Sequence, residues 1–158
     1  MKIREYCKAE HFDKLRSYRL DLQDTRYTIH PIEALNSQER DRKYYVIEID
    51  DCIAGFFVLQ TGEAIKEYVL QVDSSVLFRS FSIDIDYRNK GIAKKALHHI
   101  LHHPTFFKRT DHYLMLTVNT DNQKAKKIYE SLGFQSCGEI CLKKSKLIRM
   151  CHNLKIEK

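Results

Sequence analysis

The chain has 158 residues, 43% of them hydrophobic and 30% charged, with only five glycines and two prolines. That length suits one domain, expected over 1–158, and the composition excludes collagen-like, low-complexity and disordered polyelectrolyte classes. Twenty-seven Lys and Arg against 21 Asp and Glu give a formal charge of +6, dispersed over 88–95, 108–109, 124–127 and 143–149. Charge of this kind suits a nucleic acid, an anionic membrane surface or a polyphosphate ligand alike, and its dispersal argues against a specific nucleic-acid partner. The longest apolar run, 53–59, falls far short of the about 20 residues a spanning helix needs, so no membrane association is expected. The charged opening MKIREYCKAEHFDK lacks the apolar stretch of a signal peptide. Five cysteines (Cys7, Cys52, Cys137, Cys141, Cys151) follow no regular spacing and complete no zinc pattern, so reduced thiols, no metal and a cytoplasmic location are expected.

Residues 2–6 alternate weakly as a first strand, and 8–22 carry helical spacing at Phe12, Leu15, Leu20 and Leu22, broken by charge. Pro31 is suited to open a short helix running to Arg40. Residues 44–49 and 53–60 read as strands joined by a hairpin turn at Asp50, Asp51 and Cys52, and a longer strand spans 74–84. The helix over 91–103 has the clearest periodicity. Ile92, Ala93, Ala96, Leu97, Ile100 and Leu101 share about half a turn of arc, opposite Lys94, Lys95, His98 and His102, and Pro104 ends it. A strand over 113–118, a helix over 121–132 with Gly133 past its end, and strands over 134–142 and 146–154 complete the chain. The order β-α-α-β-β-β-α-β-α-β-β predicts a mixed α/β (α+β) domain.

Two segments carry chemistry. At the junction of strand 74–84 with the helix after it stands Ser82-Ile83-Asp84-Ile85-Asp86-Tyr87-Arg88-Asn89-Lys90-Gly91-Ile92-Ala93. A strand that enters a helix through such a turn leaves backbone N–H groups aimed at the loop, with the helix dipole behind them, an arrangement that binds phosphate. The second segment runs from Asn122 through Ala125 and Tyr129 to Gly133 and Phe134. Five fixed residues at that spacing arise by chance in about one chain in ten thousand. Helix pitch puts Asn122, Ala125 and Tyr129 on one stripe, so an amide and a phenol can line one cleft; the same positions also suit a helix cap and a core aromatic.

Together and in this order, the two segments resemble the GNAT acetyltransferase superfamily, over residues 74–134. Arg88–Ala93 is similar to its R/Q-x-x-G-x-G/A pyrophosphate loop, and 122–134 to its N-x-x-A-x-x-x-Y-x-x-x-G-F helix. The resemblance implies a twisted, mostly antiparallel sheet of about six to seven strands flanked by about four helices, splayed into a V that takes acetyl-CoA between strands 74–84 and 113–118. It implies that backbone groups of Ile83 and Ile85 pair with the pantetheine arm. Amides of Arg88, Asn89, Lys90, Gly91, Ile92 and Ala93 would hold the pyrophosphate, Asn122 would contact the arm, and Tyr129 would protonate the leaving thiolate. The amide near Ile83 would stabilise the developing oxyanion.

The implied activity is acetyl transfer to a primary amine of a small molecule or peptide by direct attack, since neither motif contains a cysteine to carry the acetyl group. A non-catalytic acyl-CoA sensor on the same fold is the alternative. Asn89 stands where many members have glycine, and Thr117 where some protein N-terminal acetyltransferases carry a glutamate base. A water chain, or another residue such as Asp84, Asp86 or Glu33, would then take the amine proton. His98, His99, His102 and His103 form i,i+4 pairs without a neighbouring carboxylate or cysteine and read as solvated. Region 18–40, with Asp21, Asp24, Arg26, Tyr27, His30 and Glu33, suits an amine, a carboxylate or both. An exposed strand near the C-terminus could pair with a second copy as a homodimer.

Overall fold

The computed structural model describes residues 1–154. The strands are β1 (Lys2–Glu5), β2 (Arg42–Ile49), β3 (Cys52–Gln60), β4 (Ser75–Ile83), β5 (Tyr113–Asn119), β6 (Gln135–Leu142) and β7 (Ser145–Asn153), and the helices α1 (Lys8–Leu15), α2 (Pro31–Leu35), α3 (Ile92–His102) and α4 (Gln123–Ser131). They form one seven-stranded sheet in the order β1-β2-β3-β4-β5-β7-β6. Every neighbouring pair is antiparallel except β4 and β5, which run parallel. This is the mixed α/β architecture with a mostly antiparallel sheet that the residue pattern predicts.

Two-residue turns close both hairpins. Asp50 and Asp51 join β2 to β3 with φ of 49° and 63°, and Lys143 and Lys144 join β6 to β7 with φ of 48° and 66°. Positive φ at both positions gives the turn whose twist matches that of the flanking strands.

Alternation along the strands sends side chains to two faces. On one face α3 inserts Ile92, Ala96, Leu97 and Ile100 against Phe57, Phe78, Leu114, Leu116 and Met150. Across β2, β3 and β4, Tyr45 stacks on Phe57 and Phe57 lies tilted against Phe78, with ring centroids 5.0 and 5.3 Å apart. The other face packs α1 and α2 on Val46, Phe56 and Val58 through Leu15, Tyr18 and Ala34. Next to that cluster, Leu77 and Met115 meet Ile65 and Val69.

Helix α1 ends at Leu15, well before the residue 22 expected from its apolar spacing. The backbone of Arg19 bonds instead to the end of β4: its N–H donates to Asp84 Oδ2 at 2.9 Å, and its carbonyl accepts from the Ile85 N–H at 2.9 Å. A helix continued through Arg19 would forfeit both bonds. Helix α2 likewise stops at Leu35 rather than Arg40.

Candidate active site

The site begins where two parallel strands part. β4 and β5 pair only at Ser75 with Tyr113, Val76 with Leu114 and Leu77 with Met115. β3 stays with β4 as far as Ile83, and β7 stays with β5 as far as Asn119. A bulge bends β4 away: Val58 faces Arg79 and Phe56 faces Ser82, so β4 holds one extra residue there. Ser80, inside the bulge, takes the left-handed region at φ 54°. Beyond Leu77 the β4 edge that faces β5 has no strand partner, and a cleft of about 710 Å³ opens between the strands.

The loop after β4 is shaped by its own polar groups. Asp84 accepts from the Asp86 N–H through Oδ1 and from the Arg19 N–H through Oδ2, both at 2.9 Å. Asn89 at φ 60° and Gly91 at φ 73° then turn the chain into α3. The first N–H inside this turn to find a backbone partner is that of Lys95, which donates to the Gly91 carbonyl at 3.1 Å. The N–H groups of Ile92, Ala93 and Lys94 precede it, at the positive end of the helix dipole and on the wall of the cleft. A Cβ placed on Gly91 would meet nothing within 4 Å, so the loop is open on that side. Backbone donors, open space and a free strand edge fit a ligand with a phosphate group and an extended polar arm.

The Arg88 guanidinium faces elsewhere: its Nη1 donates to Asp24 at 2.5 Å and to Asp21 at 3.4 Å. Asn122 caps α4, with Oδ1 accepting from the Ala125 N–H at 3.3 Å. Two turns on, Tyr129 is half-buried, with its ring edge-on to Phe134 at 5.8 Å. Burial pushes its hydroxyl up to about 12, so the phenol keeps its proton at neutral pH. No hydrogen bond to the Tyr129 hydroxyl occurs among the described residues, and the side chain lines the cleft.

Ile83, Arg88, Asn89, Gly91, Ile92, Ala93, Asn122 and Tyr129 all line this cleft. Ile85 and Lys90 do not. Ile85 belongs to a 3-10 turn (Ile85–Tyr87) past the end of β4, with its N–H already given to Arg19. The Lys90 ammonium lies 5.5 Å above the Tyr87 ring. Among the carboxylates considered as a base, Asp84 is buried and fully hydrogen-bonded, Asp86 is paired with Arg19 at 2.9 Å, and Glu33 is exposed on α2. None of the three is on the cleft wall. The carboxylates that are, Asp24 and Asp121, pair with Arg88 and Arg26. No cysteine or histidine lines it.

Sequence reasoning did not single out Gln23, Thr28, Arg79 or the bulge residue Ser80, all of which line the cleft. For Arg79 there was a signal, a cation within the apolar strand Val76-Leu77-Phe78-Arg79. For Ser80 there was none.

The model of the Acetyltransferase (GNAT) family matches residues 7–134. The chain belongs to this family. It is 33% identical over 139 residues, 84% of each chain, to the uncharacterized N-acetyltransferase YbbJ of Bacillus subtilis. Its fold is similar to that of the ribosomal-protein-S18-alanine N-acetyltransferase of Escherichia coli, with a TM-score of 0.67 at 18% identity over 99% of this chain and 96% of that one. It is also similar to spermidine N-acetyltransferase of Vibrio cholerae in complex with CoA and spermine, with a TM-score of 0.64 at 17% identity over 97% and 95%. As a GNAT member with N-acetyltransferase relatives the protein is an acyltransferase, and its split sheet of seven strands with four helices is the fold of these neighbours.

Proposed function

We propose that this GNAT enzyme transfers the acetyl group of acetyl-CoA to a primary amine by direct attack. The observation that carries the reading is the parting of β4 from β5 with Tyr129, protonated and without a hydrogen-bond partner among the described residues, on the wall of the resulting gap. Acetyl-CoA supplies a thioester carbon and a phosphorylated tail. The free edge of β4 up to Ile83 receives the amide-bearing arm as an added strand, and Asn122 contacts it from the opposite wall. Backbone N–H groups from Arg88 to Ala93 receive the pyrophosphate.

The acceptor nitrogen bonds to the thioester carbon as the carbon–sulfur bond breaks. Tyr129 gives its proton to the departing sulfur and regains one from solvent. The N–H near Ile83 stabilises the oxygen on which charge develops. The excess amine proton goes to water, because the cleft carboxylates are held in ion pairs. No cysteine lines the cleft to carry the acetyl group, which favours direct attack by the amine. Neighbours of the same fold are named for spermidine and for a ribosomal protein alanine, so the acceptor here is an amine whose class the wall of the gap selects.

The test follows thiol release from acetyl-CoA across a panel of primary amines, beside thermal unfolding with acetyl-CoA. At 100 times its Kd, acetyl-CoA should stabilise the fold by about 2.7 kcal/mol, and amine-dependent thiol release should follow. Stabilisation without release for any amine would favour an acyl-CoA sensor. Absence of both would overturn the site.

A further inference from the structure

The sheet face that carries α1 and α2 concentrates guanidinium groups beside the gap. Arg42 opposes Gln60, and Gln60 opposes Leu77, whose second neighbour on the same face is Arg79. Across the gap, Arg149 opposes Thr117, the second neighbour of Met115, which is the partner of Leu77. Arg79 and Thr117 therefore stand two residues beyond the last paired position of their strands, one on each lip of the gap, and both line the cleft.

These cations are under-compensated. Glu39 is the one carboxylate within ion-pairing reach of any of the three among the described residues: it pairs with Arg42 and, at 3.6 Å, with Arg79. Arg42 Nε is buried without a partner. Arg149 donates only through Nε, to the Tyr68 carbonyl at 2.8 Å, which leaves its two terminal nitrogens without an acceptor among the described residues. The Tyr68 ring lies 5.1 Å beneath the Arg79 guanidinium, so a single residue positions both arginines. Arg79 also donates to Gln60 Oε1 at 3.0 Å, which fixes the plane of its fork. Half-buried guanidinium groups held in place with donors to spare are what bidentate carboxylate recognition requires. A polycationic amine would meet net repulsion on this wall.

We propose that the acceptor is an α-amino acid whose carboxylate is held by Arg79 and Arg149 while its amine enters the gap beside Thr117. This rests on the acyl-transfer reading of the cleft. Arg149 and Thr117 are directly opposed on paired antiparallel strands, so their Cβ atoms stand about 5 Å apart on the same face of the sheet. Arg79 and Arg149 act on the α1/α2 side of the sheet, and Tyr129 on the α3 side, where it packs against the core under that helix.

The experiment measures kcat/KM for the twenty common L-amino acids and for the corresponding carboxamides, with spermidine alongside. At least one amino acid should exceed its own amide by about 100-fold or more, since the amide lacks the charge that the arginines are placed to hold. In Arg149→Gln and in Arg79→Gln that ratio should fall to within about threefold, and Arg149→Lys should restore part of it. A wild-type ratio near one, a ratio unchanged in both variants, or faster turnover of spermidine than of any amino acid would overturn the proposal. If no amine is turned over, the acyl-transfer reading fails, and the carboxylate site is judged by calorimetry on the CoA-loaded protein. Tighter binding of an amino acid than of its amide, lost in Arg149→Gln, would sustain it; equal or absent binding would reject it.

Discussion

In the proposed transfer, Tyr129 supplies the proton on which departure of the thiolate depends. An unperturbed tyrosine is half ionised near pH 10, whereas burial pushes this one up to about 12. It serves as a general acid only while protonated, so the sign of the shift widens its working range upward. The rate should rise with pH as the acceptor ammonium loses its proton, and should hold through pH 10 rather than fall. A pH–rate profile that turns down near 9 would assign the proton to another group. Tyr129→Phe should lower kcat by about 100-fold or more with the Kd for CoA, measured by calorimetry, changed less than threefold. Its ring contact with Phe134 survives that substitution, so the unfolding midpoint should hold.

At the scale of elements, a strand and a helix build the proposed cofactor side chiefly from backbone. The bulge at Ser80 swings β4 off β5, and the left-handed residues Asn89 and Gly91 aim the start of α3 at the space so opened. Gly91 meets a demand for positive φ, and its flank is open. Gly91→Ala should cost about 1–2 kcal/mol of stability through the left-handed backbone. It should also raise the KM for acetyl-CoA, because the new methyl group stands beside the N–H groups of the loop. Loss of stability with an unchanged KM would show that the phosphates lie elsewhere.

The whole molecule is closed by the segment between α1 and α2, which runs over the mouth of the cleft. Arg19 pairs with Asp86 at 2.9 Å, Asp24 and Asp21 hold Arg88, and Arg26 reaches Asp121 on the far wall at 3.3 Å. The buried Tyr18 hydroxyl shares a 2.8 Å hydrogen bond with Ser82, and His30, whose Nδ1 accepts from the Ile32 N–H, donates through Nε2 to the Tyr18 carbonyl at 2.7 Å. The segment thus joins the loop before α3 to the α4 side. The Arg26–Asp121 pair is exposed on both sides, and such pairs are worth about 1 kcal/mol or less, so Asp121→Asn should move the unfolding midpoint by no more than about 4 °C. Amide exchange over 19–28 should nevertheless quicken about tenfold or more as the segment opens locally. A large drop in midpoint with unchanged exchange would mean that the pair supports the core instead.

How much of this was legible beforehand differs from element to element. Helix α3 announced itself because its apolar stripe matches the helical period and is buried as the wheel requires. The segment from Asn122 to Phe134 was legible as a motif because cap, stripe and C-terminal glycine act within a few residues of one another, and Gly133 indeed takes φ 95°. The end of α1 was not legible: the bonds that stop it run from Arg19 to Asp84 and Ile85, far along the chain, and periodicity carries no record of them.

By itself the sequence indicated where most strands and helices lie and that Gly133 would turn left-handed at the end of α4. These follow from local sterics and from hydrophobic period. Only the tertiary structure decided that β4 parts from β5 after Leu77, that Ile85 stands off the cleft, and that Asp24 takes the Arg88 guanidinium. It alone put Arg79 on one lip of the gap and Arg149 one strand beyond the other lip, opposite Thr117. Register between distant strands sets each of these, and register is fixed by burial of whole faces at once rather than by any short run of residues.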